Sequence, residues 1–398
     1  MRRAAIVSPL RTPVGAFGGA LRGVSVETLG SIVIKAVLEQ TGLDPARVED
    51  VVFAQSYANS ETPCVGRWIA LEAGLPIEVP GLQIDRRCGG GLQAIVTAAM
   101  MVQTGACDIV LAGGVESMSR IEHYTTDMRW GKRSGSVQLY DRLDRGRERS
   151  QPVERFGHIS GMIETAETLA REYAISREDA DDFAAESHRR AVAAWRDGRF
   201  TEEVVPVSVP QRKGDPLPFA RDEGIRADST ADILATLRPI MKDGTVTAGN
   251  AAQQNDAAAA CLIVAEDRLT EFGLEPIAFL TGWSAVGCDP ARMGLGPVGA
   301  TAKVFEKTGL SFNDIDLVEV NEAFAAQVLA VLRAWSWDNR AKLNVNGSGI
   351  SLGHPIGATG VRMMTTLTRE MRRRGARYGL ETMCIGGGQG MAAIFERA

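Results

Sequence analysis

Histidine is scarce in this chain: 398 residues carry four, His123, His158, His188 and His354. None stands in an HExxH or His–Cys spacing, so no metal site is expected. The six cysteines have no short paired spacing. That excludes a disulfide framework and a CxxC-type zinc site, and free thiols suggest a reducing, cytoplasmic setting. A surplus of positive charge is also missing. The net charge is −5, with 45% hydrophobic and 23% charged residues. The composition is that of an ordinary globular protein with no electrostatic footprint for nucleic acid. No apolar run is long enough to span a membrane. Met1-Arg-Arg begins like a signal peptide, but Ser8-Pro9 cuts short the apolar run from Ala4 to Val7. The ending Phe395-Glu-Arg-Ala carries no peroxisomal or retention signal. A chain this long exceeds the usual size of one core, so two or more domains are expected.

Three glycine-lined reactive side chains stand out. Cys88 lies between an apolar strand and a Gly-rich helix start, in Leu82-Gln-Ile-Asp-Arg-Arg-Cys-Gly-Gly-Gly-Leu-Gln-Ala. A helix N-terminus stabilises a thiolate and lowers its pKa, and Gly89 to Gly91 would let a substrate carbonyl approach the main chain. His354 follows the glycine-rich Asn344-Val-Asn-Gly-Ser-Gly-Ile-Ser-Leu-Gly and precedes Pro355, which suits the first position of a helix. There the dipole keeps an imidazole neutral and able to act as a base. Cys384 opens Cys-Ile-Gly-Gly-Gly-Gln-Gly, whose N–H groups could line an oxyanion hole. Cys64, Cys107, Cys261 and Cys288 lack such flanks and read as buried structural thiols.

The chain also repeats itself. Gly42-Leu-Asp-Pro-Ala-Arg-Val-Glu-Asp-Val-Val-Phe echoes Gly309-Leu-Ser-Phe-Asn-Asp-Ile-Asp-Leu-Val-Glu-Val. In both, a helix ends at the Gly and a strand begins after the acidic residue. Carrying the offset forward sets Cys88 almost opposite His354, and Asp108-Ile-Val-Leu-Ala-Gly-Gly against Thr382-Met-Cys-Ile-Gly-Gly. Two similar α/β halves would therefore face each other across a ligand site. Their strands read as continuous apolar runs in parallel-containing sheets. Between them, Arg129 to Ser150 reads as an exposed excursion, and the basic run Arg142 to Arg149, mixed with Asp and Glu, as a solvated face. Helices follow over Gly161–Tyr173 and, capped by Ser176, to about Asp197. A helix over 249–260 and a strand from Cys261 to Glu266 then rejoin the first half. Gly89-Gly-Gly91-Leu-Gln-Ala94 formally fits a dinucleotide fingerprint, but the acidic Asp108 precedes the next strand instead of ending it.

These motifs resemble the thiolases, the 3-ketoacyl-CoA thiolase and acetyl-CoA acetyltransferase family. The matching pieces are the Cys88 segment, Gly113-Gly-Val-Glu-Ser-Met-Ser, Asn321-Glu-Ala-Phe-Ala, Gly353-His-Pro-Ile-Gly-Ala and the Cys384 loop, with Arg11-Thr-Pro-Val-Gly and Gly244-Thr-Val-Thr-Ala-Gly-Asn. The resemblance implies an α/β thiolase fold, two duplicated βαβαβαββ halves in a five-layered α-β-α-β-α core. The N-terminal half would take residues 1–120, completed by 249–270. A loop domain, 121–248, would cover CoA and support oligomerisation, and the C-terminal half would take 271–398.

By the same resemblance Cys88 is the nucleophile, His354 takes its proton, and Cys384 exchanges a proton with the second substrate. One oxyanion site belongs to His354 with a water held by Asn321, the other to the N–H groups of Cys88 and Gly386. Arg226, Met162, Ala248, Ala252, Met293, Ala323 and Phe324 match positions around CoA. Two departures stand out: Ala252 replaces a serine that bonds the pantetheine arm, and Gly161 replaces a second pocket histidine. The implied substrates are CoA and acyl-CoAs, with no resident cofactor. The implied assembly is a homo-oligomer, dimer or tetramer, without nucleic acid or membrane. Met128-Arg-Trp-Gly and the C-terminal stretch look like the broader-specificity β-ketothiolase branch, acting on acetoacetyl-CoA and slightly longer chains. A pathway-specific thiolase such as one for β-ketoadipyl-CoA, a carrier-protein 3-ketoacyl synthase and a non-catalytic relative are the alternatives.

Overall fold

The computed structural model describes residues 2–159 and 161–398. In the N-terminal half the chain runs β1 (Ala4–Arg11), α1 (Val26–Thr41), β2 (Asp50–Ala54), α2 (Val65–Ala73), β3 (Gly81–Ile84), α3 (Gly90–Gln103) and β4 (Ile109–Ser117). It then leaves the sheet through α4 (Met162–Glu172) and α5 (Arg177–Arg196), and returns as β5 (Asn255–Ala265). The C-terminal half is β6 (Ala278–Gly287), α6 (Gly296–Thr308), β7 (Leu317–Val320), α7 (Ala325–Trp335), α8 (Ile356–Arg374), β8 (Tyr378–Ile385) and β9 (Gln389–Arg397).

The main sheet runs β7-β8-β9-β6-β1-β5-β4-β2-β3, with a two-residue strand, Gly15–Ala16, paired to β5. Read outward from the junction, one half runs β1, β5, β4, β2 and the other β6, β9, β8, β7, each time the first strand, the last, the one before the last and the second. In the first half β3 and the Gly15–Ala16 strand are extra. The halves join through two antiparallel pairs, Ala5 with Phe279 and Ile6 with Ala278. The echo in the sequence has a structural cause. Gly42 and Gly309 both sit in the left-handed region, at φ 64° and 70°, where they terminate α1 and α6.

Strand periodicity sorts the core into layers. In β2, Val51 and Phe53 pack with α1 and α2, whereas Val52 and Ala54 point the other way, onto α3. That second core also takes Val361 and Met364 of α8 and Met383 and Ile385 of β8. On the far face of β7 and β8, Val318, Val320 and Leu380 pack with α6 and α7. The order is thus α1/α2, sheet, α3/α8, sheet, α6/α7. The central helices touch because they carry glycine: a Cβ on Gly360 would lie 2.2 Å from the backbone nitrogen of Leu92.

One sequence expectation fails. Residues 249–260 do not form a helix; Ala257 to Ala260 lie inside β5, paired to β1 and β4. Alanine favours helix intrinsically. Here β5 is buried on both faces, and small side chains suit its place between two helical layers. The expected helix after Ser176 does form, as α5, with a reciprocal capping box between Ser176 and Asp179. The excursion is exposed from Asp127 to Leu139. It then folds back as a short helix, Arg142–Glu148, whose Leu143 packs on Tyr57 and Met118.

Candidate active site

Each reactive side chain sits where a strand or loop gives way to a tight turn. Cys88 occupies a helical turn, Arg87–Gly89, leading into α3. Its neighbour Arg87 has φ 46°, and the backbone N–H of Arg87 donates to Asp85 Oδ1 at 2.6 Å. His354 precedes α8, one residue further out than expected, because Pro355 caps the helix instead of opening it. The backbone N–H of His354 donates to Asn255 Oδ1 at 2.8 Å, tying it to β5 of the other half. Cys384 lies near the end of β8, and Gly387 and Gly388, at φ 88° and 83°, make the turn into β9. The packed starts of α3 and α8 bring Cys88 and His354 to one place.

Cys88, His354, Cys384 and Gly386 line a single cavity of about 860 Å³. Arg226, Met162, Ala248, Ala252, Met293, Ala323 and Phe324 line it as well. Asn321 does not. It is fully buried behind His354, its Nδ2 lying 3.4 Å and 3.5 Å from the two ring nitrogens, and its Oδ1 has no partner among the described residues. Thr359 Oγ1 hydrogen-bonds with His354 Nδ1 at 2.7 Å.

The protonation states follow from burial. Burial lowers the His354 pKa to about 3, with Arg362 adding in the same direction. The imidazole is therefore a neutral proton acceptor at physiological pH. Burial raises the Cys88 thiol, opposed by the N–H of Gly386 and then by the charge of Arg87 and by the N–H of Cys88 itself. Burial pushes Cys384 well above an ordinary thiol, with Cys88 adding to it. The expectation that the helix start lowers the Cys88 pKa is thus overturned: desolvation outweighs the N–H donors. Burial thus favours the thiol form of Cys88.

Other expectations need correction too. Gly89 to Gly91 do not simply clear a path for substrate. A Cβ on Gly89 would lie 2.5 Å from Ile385 Cδ1, and one on Gly91 2.9 Å from the carbonyl oxygen of Gly357, so they let the two halves close on each other. Of the thiols expected to be buried, only Cys261 is; Cys64 is exposed and Cys107 and Cys288 are half-buried. Arg226 is exposed at the cavity rim, its backbone N–H donating to His188 Nδ1 at 3.3 Å. Ala252 donates its N–H to the carbonyl of Ala323 at 2.9 Å. Sequence reasoning missed Arg87, Tyr57 and Arg147, all on the cavity wall. Adjacency to Cys88 could have flagged Arg87. Arg147 lay hidden in a charge run that reads as solvated.

Comparison with known proteins agrees with this geometry. Residues 4–267 match the thiolase N-terminal domain and residues 274–397 the thiolase C-terminal domain. The chain belongs to the thiolase family. The acetyl-CoA acetyltransferase of Chromobacterium violaceum is 47% identical over 99% of each chain. The beta-ketothiolase BktB of Cupriavidus necator is 45% identical over 100% of this chain and 99% of its own. Among solved structures, the Bacillus anthracis acetyl-CoA acetyltransferase has a TM-score of 0.95 at 41% identity, covering 100% of this chain and 99% of that one. Human mitochondrial 3-ketoacyl-CoA thiolase in complex with CoA has a TM-score of 0.93 at 38% identity, covering 100% and 98%. This thiolase is accordingly an acyltransferase. No helix among its described residues is long and apolar enough to cross a membrane.

Proposed function

We propose that this thiolase cleaves short- to medium-chain 3-ketoacyl-CoAs, such as acetoacetyl-CoA, with coenzyme A, and runs the reverse condensation, through an acyl-Cys88 intermediate. The observation that carries this is the meeting of Cys88 and Gly386 with His354 and Cys384 on one cavity wall, drawn from both halves of the duplicated fold. In the first half-reaction His354 Nε2 or Nδ1 takes the Cys88 proton as the sulfur attacks the keto carbonyl. The N–H groups of Gly386 and Cys88, which already act on the resting thiol, receive the oxyanion. The bond between the α- and β-carbons breaks, and Cys384 delivers a proton to the α-carbon of the departing acetyl-CoA. In the second half-reaction Cys384 takes the proton of the CoA thiol, which attacks the acyl-Cys88 thioester; the Cys88–acyl bond breaks and the departing Cys88 sulfur takes back the proton held on His354. His354, with a water held by Asn321, stabilises the enolate oxygen of the acetyl-CoA leaving in the first half-reaction.

CoA lies along the wall of Met162, Ala248, Met293 and Phe324, with Arg226 at the adenine end. The excursion over 121–248 covers it and supports a homodimer or homotetramer, working in the cytoplasm without a resident cofactor. Ala252 offers no hydroxyl to the pantetheine arm, so CoA is held less tightly there. The test is CoA-dependent cleavage of a 3-ketoacyl-CoA series from acetoacetyl-CoA upward, with mass spectrometry for acyl-Cys88. Cleavage of short members with acylation at Cys88 is expected. Cleavage of none by folded, reduced protein, or full activity in Cys88→Ala, would overturn the reading.

A further inference from the structure

The Gly113-Gly-Val-Glu-Ser stretch carries a carboxylate that acyl transfer itself does not use. Glu116 is the penultimate residue of β4 and is fully buried. Its Oε2 accepts the backbone N–H of Ser56 at 3.1 Å and that of Gly357 at 3.0 Å, and its Oε1 accepts that of Tyr57 at 3.2 Å. Ser56 and Tyr57 follow β2 and line the cavity with Cys88. Gly357 belongs to the first turn of α8, just past His354. One side chain of the N-terminal half therefore grips both a wall of the cavity and the helix start behind the base.

This grip supplies something α8 lacks. The helix opens at Pro355 with no side-chain cap of its own, and the first N–H groups of a helix need acceptors. Glu116 provides one from the other half, and its negative charge suits the positive end of the helix dipole. The fit is close: a Cβ on Gly114 would collide with the carbonyl oxygen of Gly357, and one on Gly357 would lie 2.6 Å from the carbonyl oxygen of Val115. The first turn of α8 also carries Thr359, whose hydroxyl bonds His354 Nδ1 at 2.7 Å. Whatever holds that turn holds the ring.

The carboxyl meets opposing demands. Burial raises its pKa to about 7, the three N–H groups pull the other way, and the charge of Asp85 adds to the rise. The other titratable groups around it are Arg87 and Cys88 ahead of α3, Tyr57 after β2, Arg147 on the short helix over Tyr57, His354 and Arg362 on the α8 side, and Asp256 on β5. Val115, the preceding residue, faces α1 on the opposite side of β4. Tyr57, pushed up to about 12, and His354, lowered to about 3, are both neutral around pH 7. A protonated carboxyl turns an O–H toward donors it previously accepted from.

We propose that Glu116 is a positioning residue for the base: its carboxylate, bonded to Gly357, Ser56 and Tyr57, fixes the first turn of α8 and so aims the His354 ring at the Cys88 side of the cavity. This rests on the thiolase reading above. Glu116 acts through α8 and does not itself line the cavity. Protonation weakens its hold on the three N–H groups, and the base loses its aim. Because the folded value is raised, Glu116 contributes stability that is complete below about pH 4.5 and is lost as pH rises through about 7. Activity lost to this proton between pH 8 and pH 6 is therefore not lost to unfolding.

The test measures kcat and KM for CoA-dependent cleavage of acetoacetyl-CoA, or of the shortest 3-ketoacyl-CoA accepted, from pH 6 to pH 8.5, with Tm at each pH. In the wild type kcat is expected to fall as pH drops through about 7, with little change in KM. Glu116→Gln keeps the shape and removes the charge. Its kcat at pH 8 is expected to be roughly ten- to a hundredfold lower, the range for a hydrogen bond to a charged group, and its profile to lose that acid limb. Glu116→Asp keeps the charge on a shorter arm and is expected to recover part of kcat and to retain a limb. An acid limb that persists in Glu116→Gln, or a lowered Tm with wild-type kcat per folded molecule, overturns the proposal and leaves the thiolase reading standing. No cleavage by the folded wild type overturns the thiolase reading and the proposal with it. Should Glu116→Gln not fold, hydrogen exchange in the wild type decides. The start of α8 is expected to be less protected at pH 6 than at pH 8 after correction for the intrinsic rate, and equal protection overturns the proposal.

Discussion

Thr359 Oγ1 lies 2.7 Å from His354 Nδ1, so the helix that begins just after the histidine also holds its ring. The Asn321 amide, 3.4 Å from the same nitrogen, braces the ring from the β7 side. A base must point at the proton it takes, and a positioned base contributes roughly 10²–10⁴-fold. Removing the Thr359 hydroxyl forfeits part of that. Thr359→Val is expected to lower kcat about tenfold with little change in KM, and Thr359→Ser to restore most of it. A fall in KM affinity with kcat preserved would place Thr359 in binding and not in ring orientation.

Burial, aided by Arg362, sets the His354 pKa at about 3, and burial together with Arg226 sets His188 at about 4. Both lie below the ordinary histidine value. In a titration followed by NMR on histidine-labelled protein, these two rings are expected to stay neutral from pH 8 down to pH 5. The resonance lost in His354→Asn identifies one of them. Because the folded-state values are depressed, each histidine contributes stability that is present above about pH 6.5 and lost as pH falls toward its folded value. A His354 resonance moving with a midpoint near 6.5 would contradict the buried, neutral base.

Much of this was legible in the amino-acid order, for identifiable reasons. Gly42 and Gly309 mark helix ends because a left-handed C-cap suits glycine, so the duplication shows at those positions. Cys88, His354 and Cys384 announce themselves through glycine-rich flanks. The role of those glycines was not legible, because the close approach of α3 and α8 is a contact between segments some 270 residues apart. The alanines of β5 misled for the same reason: local propensity points to helix, and two neighbouring strands decide otherwise. The Cys88 pKa depends on how completely the second half covers the thiol, which no local pattern encodes. Arg147 could not be told from its surface neighbours until the short helix Arg142–Glu148 was seen folded back over Tyr57.

Glu319 and Glu381 are register partners in the parallel pair of β7 and β8, and both are buried. Burial raises Glu319 to about 8, against the pull of Arg362. Burial, with Glu319 beside it, raises Glu381 well above the ordinary range. Arg362, itself buried, is the cation facing both, and Ser348 faces Glu319, while Glu322 and Glu203 add negative charge from farther off. Raised carboxyl values mean stability that is complete below about pH 4.5 and is lost as pH rises through the folded values. Glu381→Gln keeps the shape and removes one ionisation. It is expected to stabilise the protein by roughly 1–3 kcal/mol at pH 8, and by progressively less toward pH 5. Thermal denaturation across that range checks it; equal shifts in Tm at both ends would show that Glu381 carries no such load.

Cys88 and His354 stand just before α3 and α8, and Gly360 lies at a close approach of the two helices. A Cβ there would sit 2.2 Å from the Leu92 backbone nitrogen and 2.8 Å from the Leu92 Cβ. Neither is the end of a flexible side chain, so the helices must move apart. Overpacking of this kind costs typically about 1–3 kcal/mol. In the proposed mechanism any separation also shifts His354 from Cys88, and a displacement of about 1 Å can cost about a hundredfold in rate. Gly360→Ala is therefore expected to lower Tm and, in the fraction that remains folded, to reduce kcat more than KM. Gly375, at φ 65° after the end of α8 with open space around its Cβ position, supplies the contrast. Gly375→Ala is expected to cost stability through its backbone alone and to leave kcat per folded molecule as it was. Equal kcat losses in the two variants would sever the link between the helix crossing and the chemistry.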